Sequence, residues 1–119
     1  MKNRKGFTLV EIMIVVSIIA LLAVIATPNF VRARDTSRSS ACINNLRILD
    51  SAKEQYAIQM GAVSGAAITS ADISDFLKEN TMPVCPAAGV YTLNNIGALP
   101  VCSLSGASSG AAPKSHRLD

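Results

Sequence analysis

The sequence has little with which to bind nucleic acid. Its 119 residues include no tryptophan, three phenylalanines and two tyrosines, so no run of aromatic side chains is interleaved with basic ones for bases to stack on. The formal net charge of +3 comes from the first six residues: without the three basic residues there, the remaining 8 Lys and Arg balance 8 Asp and Glu. We therefore expect no nucleic acid as a main partner.

Catalytic and metal-binding residue types are also scarce. The chain has three cysteines without a C-x-x-C pair and a single histidine, His116, near the C-terminus. No cysteine has an evident histidine partner, and no serine stands in the setting of a nucleophile elbow. We therefore predict neither an enzyme nor a metal site nor a cofactor, and we interpret Cys42 as a buried thiol on the apolar side of a helix.

What the sequence does contain is one long apolar run. Residues 7–26 read FTLVEIMIVVSIIALLAVIA, which as a helix would span about 30 Å, the thickness of the hydrocarbon core of a bilayer. Lys2, Arg4 and Lys5 precede this run, and basic residues beside a span tend to stay in the cytoplasm. The pattern predicts a single-pass membrane protein with a cytoplasmic N-terminus and an extracytoplasmic body.

An ordinary secretory signal peptide, cleaved before Thr27, is the alternative interpretation of this run. The run is longer than the apolar part of such a peptide, which usually has about 7–15 residues. It also contains a carboxylate, Glu11. A charge near the centre of a bilayer costs about 2.5–3.5 kcal/mol on insertion scales, so an acidic residue inside a span is by default a functional residue. Both features favour a membrane anchor.

The residues KGFTLVEIMIVVSIIALLAVIATPNF resemble the leader and N-terminal helix of type IV pilins and of the pseudopilins of type II secretion systems. The resemblance covers residues 1 to about 30. It implies that residues 1–6 are a leader, which a prepilin peptidase removes by cutting after Gly6. It further implies that the new N-terminal residue, Phe7, is methylated and that Glu11 assists assembly.

The same resemblance implies partners and a location. The subunit is expected to lie first in the bacterial inner membrane, surrounded by lipid, with its N-terminus in the cytoplasm. It would then join a periplasmic or cell-surface filament, a helical homopolymer that also admits other pilins. Besides the prepilin peptidase, the expected partners are an inner-membrane assembly platform and its ATPase.

A physical role for Glu11 follows from cleavage after Gly6. Cleavage exposes a cationic α-amino group at the head of an apolar helix. Glu11 is four residues from that amine, about 6 Å of helical rise, and more easily reaches the amine of a neighbouring subunit shifted along the filament. Pairing of these two charges would set the register of packing. The alternative is that Glu11 only snorkels or is protonated in the membrane.

Beyond the span the helical pattern continues. Pro28 is expected to kink this helix or to interrupt it locally. Apolar residues then recur at three- and four-residue spacing while charged residues occupy other faces, and Gly61 supplies a stop. The apolar positions are Cys42, Leu46, Leu49, Ala52, Tyr56 and Met60, and the charged ones are Arg38, Arg47, Asp50, Lys53 and Glu54. A helix over residues 7–60 would be about 80 Å long.

After the long helix, residues 61–104 predict a small α+β domain. SADISDFLKEN indicates a short helix capped by Ser70, and VYTL and PVCSL indicate two short strands. Because Cys85 and Cys102 bracket this strand-rich stretch outside the cytoplasm, we expect a disulfide between them, worth roughly 3 kcal/mol. Residues 105–119, rich in Ser, Gly and Ala, are expected to form a flexible tail.

The predicted fold class is therefore α+β. A long N-terminal helix, with a membrane-spanning first half and an amphipathic second half, packs on a small β-containing C-terminal domain. Two functions remain open: a filament subunit of a type IV pilus or type II secretion pseudopilus, and an anchored or secreted binding module that does not polymerise. Major pseudopilins typically carry an acidic calcium-binding loop in the C-terminal region, whereas no Asp or Glu lies between Glu79 and Asp119. That difference favours a pilin or a divergent pseudopilin-like protein.

Overall fold

The computed structural model describes residues 2–105 and residue 116. Its class is α+β, with a long N-terminal helix and a small C-terminal region that contains short antiparallel strands, as predicted. The chain divides into two compact units, Met1–Ala33 and Arg34–Asp119, and the long helix contributes residues to both. The elements are the helices α1 (Leu9–Met60) and α2 (Ser70–Ile73), 3-10 turns at Ser74–Phe76 and Lys78–Asn80, and strands β1 (Tyr91–Thr92) and β2 (Val101–Cys102).

The first unit consists of a short non-helical stretch and the start of α1. Every described residue of this unit, 2–33, is exposed. Among the residues that the structure describes, α1 is the one helix long and apolar enough to cross a membrane, by length and composition. None of the described residues of this unit covers its apolar side chains, which are therefore open to contact with lipid or another protein.

α1 passes through Pro28 without interruption. Proline has no N–H, so the carbonyl of Val24, four residues earlier, lacks its usual helical donor. One residue before the proline, the hydroxyl of Thr27 donates to the carbonyl of Ala23 at 2.5 Å. Because the helix continues on both sides of Pro28, the expected local interruption is not formed. A kink at Pro28 stays a prediction.

In the second unit, α1 buries one stripe of side chains. The buried residues are Ser39, Cys42, Leu46, Leu49, Ala52 and Lys53. The predicted apolar stripe is thus confirmed from Cys42 to Ala52, and Tyr56 continues it as a half-buried residue. Met60 is 64% exposed, so its assignment to the buried stripe was wrong. The helix ends there because Gly61 adopts φ +64° and Ala62 N–H donates to the carbonyl of Ala57 at 3.0 Å, a Schellman-type end.

Lys53 is the second departure from the predicted helix faces. It was expected on a face other than the apolar stripe, but it is only 2% exposed. Its Nζ donates to the carbonyl oxygens of Leu93 at 2.6 Å, Asn95 at 3.0 Å and Ala98 at 2.5 Å. An ammonium group has three N–H donors, and all three are used, so the loop between the strands is tied to α1 by one side chain.

The segment after the long helix differs in detail from the single short helix that was predicted. Thr69, not Ser70, is the residue before α2, and the Asp72 carboxylate accepts from Thr69 N–H at 2.8 Å and from its hydroxyl at 2.6 Å. After one turn the chain continues in two 3-10 turns, and Glu79 has a positive φ of 59° that ends regular helix. The segment still buries apolar side chains against α1 in one cluster: Leu49, Ala52, Ile73, Leu77 and Leu93.

The predicted strands form a short antiparallel pair. Tyr91 is opposite Cys102 and Thr92 is opposite Val101. Each strand has two residues, shorter than the VYTL and PVCSL runs suggested. Where the pair packs against α1, a second cluster of buried residues forms. Its members are Cys42 and Leu46 of α1, with Cys85 and Cys102. A two-residue ladder stabilises little by itself, so side-chain contacts with the helix must hold it in place.

Candidate functional site

The residues predicted for processing lie just ahead of α1. Gly6 and Phe7 belong to the non-helical stretch, residues 2–8, and no atom lies within 4 Å of a Cβ built on Gly6. Phe7 is 82% exposed. Processing between these two residues stays a prediction.

Glu11 occupies the first turn of α1. Its backbone N–H donates to the hydroxyl of Thr8 at 3.2 Å, so Thr8 caps the helix and Glu11 stands at the third helical position. T-x-x-E, residues 8–11, is the sequence signature of a capping box and could have predicted this helix start from the sequence. A carboxylate here is also favoured by the partial positive charge of a helix N-terminus. Glu11 therefore suits its own helix, while its exposed carboxylate remains available to another chain.

An apolar surface follows Glu11 along α1. Large hydrophobic side chains from Ile12 to Val31 are each about half exposed or more. They point in all directions around the helix, as in a helix that is covered on every side by lipid or by other helices. This surface and the charged residue at its head form the first candidate functional site.

The second candidate site is a cluster of four side chains in the second unit, which we term the cysteine cluster: Cys42, Cys85, Cys102 and His116. Their sulfur and ring-nitrogen atoms all lie within 4.8 Å of one another. The sulfurs of Cys85 and Cys102 are 3.9 Å apart, and the sulfur of Cys85 is 3.7 Å from Nδ1 of His116. All four residues are buried.

Local backbone structure brings the loop cysteine into the cluster. Cys85 begins a turn in which Ala88 N–H donates to its carbonyl at 3.1 Å, and Ala88 has a positive φ of 63°. The chain then passes so close to the sulfurs that a Cβ on Gly89 would lie 2.6 Å from the sulfur of Cys102. Glycine is therefore required at this position by close approach rather than by its φ.

The surroundings act differently on the sulfur atoms of the cluster. Burial acts to raise the pKa of Cys85, but the backbone N–H groups of Ala87 and Gly89, with the neighbouring thiols, hold that pKa below its ordinary value. Burial raises the pKa of Cys42 to about 12, although a hydrogen bond with Tyr91 opposes the shift. The Tyr91 hydroxyl also accepts from the Asn45 side-chain amide at 3.1 Å.

The cluster bears on two sequence-based predictions. All three cysteines are free in the structure, so the proposed bridge between Cys85 and Cys102 is not formed and stays a prediction. His116 falls in the segment 105–119 that was expected to be flexible, yet it is buried, at 8% exposure. The rest of that segment beyond residue 105 lies outside the described residues. The spacing of these residues in the sequence does not indicate a metal set, because residues far apart in sequence meet only through the fold.

Comparisons with known proteins agree with the first candidate site. The profile of the prokaryotic N-terminal methylation motif matches residues 1–27. The chain is 34% identical over 110 residues to the type IV wide pilus major component PilA4 of Thermus thermophilus, covering 92% of this chain and 79% of that protein. It is 35% identical over 99 residues to the type IV major pilin protein PilA of Myxococcus xanthus, covering 83% of this chain but only 45% of that protein.

A secretion protein shows a shorter similarity. The type II secretion system core protein G of Klebsiella michiganensis is 33% identical over 55 residues, which is 46% of this chain and 39% of that protein. No solved structure matches.

Proposed function

We propose, because this chain belongs to the family of type IV pilins and their type II secretion relatives, that it is a structural subunit of a type IV pilus-like filament. The observation that carries the proposal is the exposed apolar surface of α1 with Glu11 at its head. The similarity to pilus components extends over 92% of the chain, whereas that to the secretion protein covers 46%. This difference supports a pilus rather than a secretion pseudopilus.

Before assembly, lipid covers the apolar surface. The three basic residues of the leader hold the N-terminus in the cytoplasm, and the second unit lies on the other side of the bacterial inner membrane. Lipid tails are as apolar as the helix, so there is no hydrophobic driving force for a subunit to leave the membrane. An assembly platform with its ATPase is the proposed source of that work.

Processing prepares the helix for packing. Removal of residues 1–6 by prepilin peptidase takes away all three leader charges, and methylation keeps the new amine at Phe7 basic. The mature chain then carries one positive group at its end and one carboxylate four residues later. In a filament core, the Glu11 carboxylate of one subunit pairs with the amine of the next and sets the axial register.

The test combines microscopy with mass analysis. Surface material is sheared from cells that express the chain, filaments are imaged, and the N-terminus of the subunit is determined by mass spectrometry. The expected result is filaments whose subunit begins at a methylated Phe7. A mature chain that begins at Thr27, or one that stays in the membrane without forming filaments under assembly conditions, would contradict the proposal. Filaments confined to the periplasm would identify a pseudopilus instead.

Substitutions of Glu11 separate its two roles. Glu11→Gln keeps the hydrogen-bonding capacity of the third helical position but removes the charge, while Glu11→Val removes both. Both variants should enter the membrane as well as the original chain or better, because an apolar or neutral side chain is cheaper in lipid. Both should lose most filaments, since removing one partner of a buried ion pair costs about 3–5 kcal/mol. An unchanged filament-to-membrane ratio for Glu11→Val would show that apolar packing suffices.

A further inference from the structure

The cysteine cluster is unexplained by the filament function. It gathers every cysteine of the chain and its single histidine, from positions as far apart as 42 and 116. Cys42 lies on α1, Cys85 in the turn, Cys102 on β2, and His116 near the C-terminus. A pilin needs no such convergence in order to polymerise through its N-terminal helix.

We propose that Cys42, Cys85, Cys102 and His116 together bind one Zn²⁺ ion as a structural site. Three thiolates and one imidazole form a complete tetrahedral ligand set for zinc. With all four positions filled by protein, the ion has no open position for a substrate. Its role is to join the long helix, the turn, the hairpin and His116.

Distances in the cluster support the assignment. A tetrahedral ion with Zn–S bonds of about 2.3 Å and a Zn–N bond of about 2.0–2.1 Å places two sulfurs about 3.8 Å apart and a sulfur and nitrogen about 3.6 Å apart. The structure gives 3.9 Å between the sulfurs of Cys85 and Cys102. It gives 3.7 Å between the sulfur of Cys85 and Nδ1 of His116. The most separated pair of ligand atoms, at up to 4.8 Å, needs to approach by about 1 Å to reach the same geometry.

Hydrogen-bond donors lie beside two of the three sulfur atoms. Three thiolates and one Zn²⁺ carry a net charge of −1, which needs hydrogen-bond donors in a buried place. The backbone N–H groups of Ala87 and Gly89 contact Cys85, and the Tyr91 hydroxyl contacts Cys42. Asn45 in turn holds Tyr91 through its side-chain amide. Such outer contacts are a usual part of metal sites, where they orient the ligands.

A disulfide would use only two of the four side chains in the cysteine cluster. A bridge between Cys85 and Cys102 would leave Cys42 as an odd thiol within reach of the bridge and would give His116 no role. An odd cysteine beside a disulfide outside the cytoplasm invites thiol exchange. Metal binding uses all four side chains, and because the two states exclude each other, they can be told apart.

The first experiment measures metal binding by the full chain in detergent micelles. The protein is reduced, stripped of metal with a chelator and titrated with Co²⁺ as the probe. We expect one Co²⁺ per chain, with the visible absorption of a tetrahedral ion and the charge-transfer absorption of three thiolates. Addition of Zn²⁺ should bleach this spectrum and raise the thermal unfolding temperature.

Variants test the ligand assignment. His116→Gln should keep the thiolate charge transfer but shift the visible absorption and weaken Co²⁺ binding at least tenfold. Tyr91→Phe should weaken binding about 10–100-fold, as substitutions next to metal ligands do. Leu46→Ala is the matched control: it loosens the same apolar cluster without removing a ligand, so its cobalt spectrum should equal that of the original chain.

Two outcomes would overturn the proposal. The first is a Co²⁺ spectrum typical of octahedral coordination, or no Co²⁺ absorption, from a chain that circular dichroism shows to be folded. The second comes from protein purified without reductant: one free thiol, a Cys85–Cys102 peptide and no bound zinc would establish the disulfide. Three free thiols after chelation, with about one zinc per chain before it, support the proposal. These readouts come from the solubilised subunit and do not depend on whether it forms filaments.

Discussion

Lys53 shows how much of this small fold depends on a single side chain. It lies on the buried stripe of α1 and donates to three carbonyls of the loop between β1 and β2. Burial lowers the pKa of Lys53, and the carboxylates of Asp50 and Glu54 oppose that shift. Without this side chain the loop would bring three backbone acceptors to the helix with no donor to meet them.

Lys53→Met should therefore destabilise the second unit. The methionine can fill much of the space of the lysine stem but offers no donor. Because buried acceptors left without partners cost about 1–3 kcal/mol, we expect a loss of that size in the free energy of unfolding. Denaturant unfolding of the full chain in micelles, followed by tyrosine fluorescence, measures it.

Lys78→Met is the control for that substitution. Lys78 is exposed on a 3-10 turn, so the same chemical change should alter the free energy of unfolding by no more than about 0.5 kcal/mol. Equal effects of the two substitutions would show that the contacts of Lys53 contribute nothing specific.

At the scale of elements, α2 depends on its cap more than on its length. It has four residues, too few for a helix to persist by its own hydrogen bonds. The hydroxyl and the backbone N–H of Thr69, both donating to the Asp72 carboxylate, hold the pKa of Asp72 below its ordinary value. The cap thereby positions Ile73, which is fully buried against α1.

This cap predicts an acid-sensitive contribution to stability. Because the pKa of Asp72 is lower in the folded chain than in the unfolded chain, its stabilisation is complete above the unfolded value and is lost as the pH falls through the folded value. Asp72→Asn should flatten the unfolding free energy against pH in that acidic window. Thr69→Val, which keeps the N–H donor alone, should give an intermediate slope. Parallel profiles for the original chain and Asp72→Asn would contradict the prediction.

The elements also show what could be predicted from sequence. The buried stripe of α1 followed from the spacing of Leu46, Leu49 and Ala52, because a 3.6-residue period depends only on neighbours along the helix. The burial of Lys53 did not, since its acceptors lie at least 40 residues away. The contact between His116 and Cys85, 31 residues apart, could not be predicted for the same reason. Local sequence patterns carry no information on contacts between distant residues. The Thr8 cap, by contrast, has a local signature in T-x-x-E and was predictable from the sequence.

At the scale of the molecule, the two units differ in how much of their apolar surface is exposed. The first unit exposes an apolar surface that water does not tolerate, while the second buries its own apolar clusters. The boundary between them lies inside α1, between Ala33 and Arg34, not at the end of the helix. The second half of α1 therefore belongs to the unit that buries its own apolar side chains.

A chain that begins at Arg34 should then fold in water. Removing the first unit deletes none of the residues in either buried cluster, so residues 34–119 should be a soluble monomer with the helical circular dichroism of about 27 residues of α1. Size-exclusion chromatography with light scattering gives the mass. A matching chain that begins at Gly61, which lacks the helix that both clusters pack on, should be unfolded. Aggregation of the longer piece would show that the first unit is needed for folding.

The helix start at Leu9 has a consequence for protease recognition. Peptidases bind the chain on both sides of the bond they cut, and backbone that is free of internal hydrogen bonds is cut more readily than helix. Because Thr8 caps α1, the helix begins two residues after the proposed Gly6–Phe7 cleavage point. A peptidase that cuts there would meet non-helical backbone and would not need to unwind any turn. The same cap would remain after that cut, because Thr8 lies on its C-terminal side. α1 would therefore begin at the same residue before and after the proposed cut, and cleavage there would need no refolding of the helix.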